Sequence, residues 1–270
     1  LKAYEESLEI RRQLYTNNPE SGQAARDLSV SLNNLGALYS KRGGSGEFEE
    51  ALKAYEESLE IDRQLYTNNP ESGQAARNLA VSLDKLGDLY RRRGGAGGLE
   101  EALKAFEESL EIRRQLYTNN PRSGEAAGDL AGSLNNLGTL YHQRGDEGDF
   151  EEVLKAYEES LEIRRQLYTN NPESGQAMQD LAFCYGNRGN CEMMRGHPSE
   201  ALAHFLSAES LLLRLDGDNN YCVCEALEGV RQMIAELEAG LSGAPSEPEA
   251  RPSFAVSPKL QADKRNREQT

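Results

Sequence analysis

LKAYEESLEIRRQLY at residues 1–15 is the stretch that decides the fold. It recurs at 52–66 with Asp62 in place of Arg11, at 103–117 with Phe106 in place of Tyr4, and unchanged at 154–168. The starts fall at 1, 52, 103 and 154, so the period is 51 residues. The joining segment repeats too: TNNPESGQAARDL at 16–28, TNNPESGQAARNL at 67–79, TNNPRSGEAAGDL at 118–130 and TNNPESGQAMQDL at 169–181. A weaker copy, EALAHFLSAESLLLRL, occupies 200–215. A fixed period of this length marks a stacked array. It displaces the two globular domains that 270 residues would otherwise suggest.

One period holds two helical patterns. The first runs from about Pro70 to Arg92, with Asn69 suited to capping it and Pro70 in its first turn. Its Leu79, Leu83, Leu86, Leu89 and Tyr90 advance by three or four and share a face. Gly94 and Gly95 stop it. The second runs from about Leu99 to Tyr117, with Ala102, Leu103, Phe106, Leu110 and Leu116 as its apolar stripe. Glu100 and Glu101 lie near its start and Arg113 and Arg114 near its end, the sense the helix dipole favours. No segment of the repeat body alternates as a strand would. A helix pair of this kind buries its apolar face only by stacking on the next pair, which gives a thin continuous core. A lean hydrophobic share of 37% and the absence of tryptophan fit such a core. Tyr55, Phe106 and Tyr157 are its expected anchors.

The pattern Leu83, Leu86, Gly87, Tyr90, Ala102 and Phe106 resembles the tetratricopeptide repeat family. It is echoed by Leu32, Leu35, Gly36, Tyr39, Ala51 and Tyr55, and by Leu134, Leu137, Gly138, Tyr141, Val153 and Tyr157. The family's usual unit has about 34 residues. Here three extra residues extend the turn and fourteen lengthen the helices. With SLNNLG at 31–36 and 133–138, the chain is most similar to lengthened kinesin-light-chain-type and bacterial arrays. A last pair of ordinary spacing holds Gly189, Gly196, Ala201, Phe205 and Ala208, with Arg188 and Glu192 where leucine and tyrosine are usual. The resemblance implies an all-α fold, a right-handed α-solenoid of antiparallel helix pairs. The expected organisation is a repeat array over 1–215, a capping helix over 216–240 and a disordered tail over 241–270. Val223, Leu227, Val230, Ile234 and Leu237 form one side of the capping helix, and Pro245, Pro248, Pro252 and Pro258 mark the tail.

In this family the first helices line a concave face that holds partner peptides. Helical spacing names the positions that should point inward: Val30, Asn33, Ala37, Ser40 and Lys41; Val81, Asp84, Asp88, Arg91 and Arg92; Gly132, Asn135, Thr139, His142 and Gln143; Phe183, Gly186, Asn190, Met193 and Met194. The copies differ there, while Lys53, Glu56 and Glu57 on the second helix stay uniform. The expected partner-binding residues are Asn33, Ser40, Asp84, Asp88, Arg91, Asn135, Thr139, His142 and Asn190. Asparagine both donates and accepts, which suits an extended peptide backbone. Asp84 and Asp88 favour a basic side chain. The family's clamp for acidic chaperone C-termini needs cations at the central inward positions, and only Asn190 fits its pattern.

Composition excludes other classes. With 45 acidic against 30 basic residues the net charge is -15, which opposes phosphate-backbone binding. Without the tail the body holds 41 acidic and 25 basic residues, so a basic or neutral protein partner is expected. No apolar run approaches the length of a membrane span, and no signal segment is visible, so a cytoplasmic location is expected. Cys184, Cys191, Cys222 and Cys224, with His197 and His204 nearby, match no zinc spacing and read as packed thiols. No metal, cofactor or catalytic group is expected. GGSGEF and GGAGGL lack the ending of a phosphate-binding loop, and the paired glutamates lie on a solvated face. The leading reading is a non-catalytic interaction scaffold. A second is the sensor arm of a larger multidomain protein, such as an ATPase, since the chain opens in mid-pattern at Leu1 and reads as a fragment. A third is a self-associating array.

Overall fold

Each joining segment closes one helix and opens the next. In 67–73 the Asn69 N–H bonds the carbonyls of Leu65 and Tyr66 and ends a helix. The Ser72 hydroxyl then accepts from the Ala75 N–H at 3.2 Å, so the next helix begins at Gly73. The expected Asn69 cap therefore moves to Ser72. Two good capping residues compete here, and the one nearer the apolar run bonds the helix. Ser21, Ser123 and Ser174 repeat the arrangement.

The other junction is shorter. One helix ends at Arg93 and the next starts at Gly95, with Gly94 alone between them at a φ of 70°. Glycine takes that left-handed conformation without a Cβ penalty. The second helix thus begins at Gly95 and not near Leu99, so the additional residues of the long repeat lie in a helix.

A computed structural model describes residues 2–145, 149–215 and 221–241. Every element among these is an α-helix: α1 (Lys2–Asn17), α2 (Gly22–Arg42), α3 (Ser45–Asn68), α4 (Gly73–Arg93), α5 (Gly95–Asn119), α6 (Gly124–Arg144), α7 (Phe150–Asn170), α8 (Gly175–Arg195), α9 (Pro198–Leu215) and α10 (Tyr221–Leu241). The tail read from sequence lies, beyond Leu241, outside the described residues, as do residues 216–220. No described helix is long and apolar enough to cross a membrane.

The chain divides into two compact units, Leu1–Gly145 and Asp146–Thr270, and each is a stretch of α-solenoid. In the first, consecutive helices pack on one another and α2 also meets α4. Leu28 and Leu32 pack with Ile61, Leu79 and Leu83 with Ile112, and Phe106 with Leu137 and Leu140. Close approach ties a glycine to an aromatic in each pair. A Cβ on Gly87 would lie 2.7 Å from the Phe106 ring, and one on Gly36 2.7 Å from the Tyr55 ring.

In the second unit α7 packs on α8, α8 on α9 and α9 on α10. Phe205 rests on Gly189, and Val223, Leu227, Val230, Ile234 and Leu237 of α10 are buried together with Leu181 and Leu211. Arg188 and Glu192, which replace the usual leucine and tyrosine, pair with each other, and Glu192 also meets Arg195 and His197. One buried ion pair thus stands where the other repeats place an apolar pair. Cys184 and Cys191 are buried, and Cys191 fills the packed register of Leu89 and Leu140.

Candidate functional site

A line of buried polar side chains runs between the first-type helices α2, α4 and α6 and the second-type helices, beside their apolar contacts. Between α2, α3 and α4 the hydroxyls of Ser29 and Ser82 both donate to Asp62 Oδ2, at 2.7 and 2.6 Å, and Ser58 donates to the Ser29 carbonyl at 3.1 Å. Between α4, α5 and α6 the equivalent of Asp62 is Arg113. Its guanidinium meets Asp84 at 2.7 Å, the Ser133 hydroxyl at 2.9 Å and the Asp129 carbonyl at 2.9 Å. Asp62 is 1% and Arg113 4% exposed, so both interact in a medium where electrostatics are strong and unmet groups are costly. Burial pushes the Asp62 carboxyl above its ordinary pKa, against the pull of the Ser82 and Ser29 hydroxyls.

This line decides where the expected partner-binding residues stand. Asn33 donates to Ser82 at 2.9 Å, Asp84 is paired with Arg113, and Asn135 is 4% exposed. The structure commits these three side chains to the scaffold. The next positions along the helices are more open. Ser40 accepts from Arg92 at 3.1 Å. Asp88 holds Arg91 at 3.1 Å, and Arg91 reaches Gln143 at 3.3 Å while Gln143 returns a bond to the Arg91 carbonyl. Thr139 and His142 lie half-buried on α6, with the Thr139 hydroxyl on the Asn135 carbonyl at 2.8 Å. Burial lowers the His142 pKa, which keeps the imidazole neutral. Asn190 lies half-buried on α8 in the second unit. The geometry therefore brings Ser40, Asp88, Arg91, Thr139 and His142 onto helices α2, α4 and α6, linked from helix to helix by Arg92 and Gln143.

Reading by spacing missed Arg113 and Ser82 as the partners of Asp84 and Asn33. A signal was present. Arg11, Arg113 and Arg164 are each followed sixteen residues later by aspartate, whereas Asp62 is followed by Asn78. That spacing marks contact: Arg164 meets the Asp180 carboxylate at 2.6 Å, while Arg11 and Arg113 reach the backbone carbonyls of Asp27 and Asp129.

Residues 31–65 and 130–173 both match the tetratricopeptide repeat model. These matches support assignment to the tetratricopeptide repeat family. Tetratricopeptide repeats are scaffolds for protein interaction, so a protein partner follows at that level. Among curated relatives, Protein NCA1 of Arabidopsis thaliana is 28% identical over 172 residues, covering 63% of this chain and 38% of NCA1. Photosystem I assembly protein Ycf3 of Prochlorococcus marinus is 27% identical over 122 residues, covering 44% of this chain and 58% of Ycf3. The chain thus spans about two-fifths to three-fifths of the length of these relatives. Among solved structures, BtubC (BKLC) from P. vanneervenii shares the fold with a TM-score of 0.62 at 20% identity, covering 93% of this chain and 94% of that one.

Proposed function

We propose that the chain is a non-catalytic cytoplasmic scaffold whose first-type helices bind an extended peptide segment of a partner protein. One observation carries this reading. The second-type helices are almost copies of one another, whereas the open positions of α2, α4 and α6 differ: Ser40 against Arg91 and His142, and Ala37 against Asp88 and Thr139. A uniform frame with a varied face suits recognition of different side chains along one partner. Asn190 is a candidate contact of the second unit by itself. Asn33, Asp84 and Asn135 act behind the face, where they hold the helices that present it. We read residues 1–215 as the array and α10 as its cap.

The partner segment is basic or neutral. Asp88 keeps 25% of its side chain exposed beside Arg91, and the chain as a whole carries a net charge of -15. Such a partner binds with an affinity that falls as salt rises. The test is capture with the full chain, followed by titration of the captured partner's segment. Asp88→Lys is expected to weaken binding at least tenfold with an unchanged unfolding midpoint. Unaltered affinity and salt dependence in Asp88→Lys would overturn the reading.

A further inference from the structure

We propose that a groove between α7 and α9 in the second unit is a docking site for a partner peptide that presents a carboxylate beside an apolar side chain. The inference starts from an ion pair that the repeats share. In the first unit Arg12 of α1 pairs with Glu57 of α3, and Arg63 of α3 pairs with Glu108 of α5 at 2.6 Å. Within this unit α1 and α3 thus each offer a cation to a glutamate on the next second-type helix. Arg165 of α7 is the counterpart of Arg12 and Arg63.

Its carboxylate has gone. The glycine–aromatic contact fixes the register of α9, because Phe205 sits on Gly189 as Tyr55 sits on Gly36 and Phe106 on Gly87. Leu206, Ser207 and Ser210 therefore stand where α3 carries Glu56, Glu57 and Glu60. A third change accompanies these, since Tyr185 of α8 occupies the place of Leu32 and Leu83. Arg165 lies over the Tyr185 ring, 5.3 Å from its centroid, with Nε 3.2 Å from the phenol oxygen.

The three changes leave a groove of about 570 Å³ lined by Arg165, Tyr168, Leu181, Tyr185, Leu206 and Ser210, among others. Its volume falls within the usual range for ligand sites. Its wall sets apolar groups, with Leu206 44% exposed, beside the hydroxyls of Thr169, Ser207 and Ser210, and its one lining cation has a ring and a hydroxyl where its counterparts have a carboxylate. A ligand carboxylate takes Arg165 as Glu108 takes Arg63. An adjacent apolar side chain covers Leu206 and the tyrosine rings. This chemistry is opposite to that of the face in the first unit, so the two sites take different partner segments.

The experiment uses the full chain and labelled acetyl-Leu-Glu-Leu-Glu-Leu-amide, read by fluorescence anisotropy. Its control peptide has glutamine for glutamate. Ser207→Glu restores the repeat's own carboxylate beside Arg165, and Leu206→Glu restores the neighbouring one at an exposed position. Saturable binding is expected, at least tenfold weaker for the glutamine peptide and for either variant, and unchanged in Asp88→Lys. Absence of saturable binding would overturn the proposal, as would equal binding by the two peptides or by both variants. So would a dimer that Ser207→Glu dissociates, because a second copy would then be the occupant.

Discussion

Asp62 and Arg113 stand 51 residues apart at one station of the repeat, and they carry opposite charges in equally buried places. Around Asp62 the layer is built of hydroxyls and amides: Ser29 and Ser82 donate to its carboxylate, and no cation pairs with it among the described residues. Around Arg113 the layer offers Asp84, the Ser133 hydroxyl and the Asp129 carbonyl. The exchange is not confined to one position. Where Arg113 has the Asp84 carboxylate, Asp62 has Asn33. The station thus tolerates either sign of charge when the positions facing it change with it. Near-identity of repeats hides interfaces that are separately matched.

The largest effect expected from breaking this match is at Arg113. Arg113→Ala leaves Asp84 half-closed in the interface without its cation, and loss of one member of a buried pair costs about 3–5 kcal/mol. Urea unfolding of the full chain measures it. A cost below about 1 kcal/mol would mean that the pair is solvated and that the two layers differ less than their geometry shows.

Next in size is the transplant of one layer into the other. Asp62→Arg alone places a cation among hydroxyls and is expected to lose roughly 2–4 kcal/mol. Adding Asn33→Asp supplies the counterpart of the Asp84 carboxylate and should recover much of that loss. The coupling energy of such neighbours is roughly 0.5–3 kcal/mol in a mutant cycle. Strict additivity of the two substitutions would show that the exchange at these stations is unrelated.

The same layer explains what was legible in the sequence. The helix pairs and the apolar side of α10 follow from spacing, because a stripe of period 3.6 has one way to be buried. The cap at Ser72 and the helix start at Gly95 did not follow, since asparagine and serine cap equally well and a glycine run fits a turn or a first helical turn. Asn33, Asp84 and Asn135 share a stripe with Ser40, Asp88 and His142. Spacing gives that stripe but not how far the neighbouring repeat closes over it. The exchange of Asp62 and Asn33 for Arg113 and Asp84 carries that information, and it is visible only when the copies are compared with one another.

A smaller effect is the pH dependence of the Asp62 layer. Burial raises the Asp62 pKa in the folded chain, so the folded state binds its proton more tightly than the unfolded state does. The stabilisation is fully present below the unfolded pKa, about 4, and is lost as pH rises through the folded value. Asp62→Asn removes the group. Wild type minus variant stability should therefore fall with rising pH, and a flat or rising difference in unfolding titrations would contradict the burial argument.

The smallest effect expected lies on the surface. Arg63 and Glu108 join the second-type helices of neighbouring pairs just as Arg113 and Asp84 join α5 to α4, but their side chains are 45% and 39% exposed. Water screens such a pair and its side chains lose rotamer freedom to form it, so Glu108→Gln should cost about 0.2–1 kcal/mol. That cost should vanish in 1 M salt, where the Debye length shrinks to about 3 Å. Under the same salt the Arg113→Ala loss should persist, because its pair is closed to counterions. If both losses disappeared together, cohesion between repeats would reside in the exposed ion ladder. The buried match at Asp62 and Arg113 would then be a consequence of duplication and not the element that holds the stack in register.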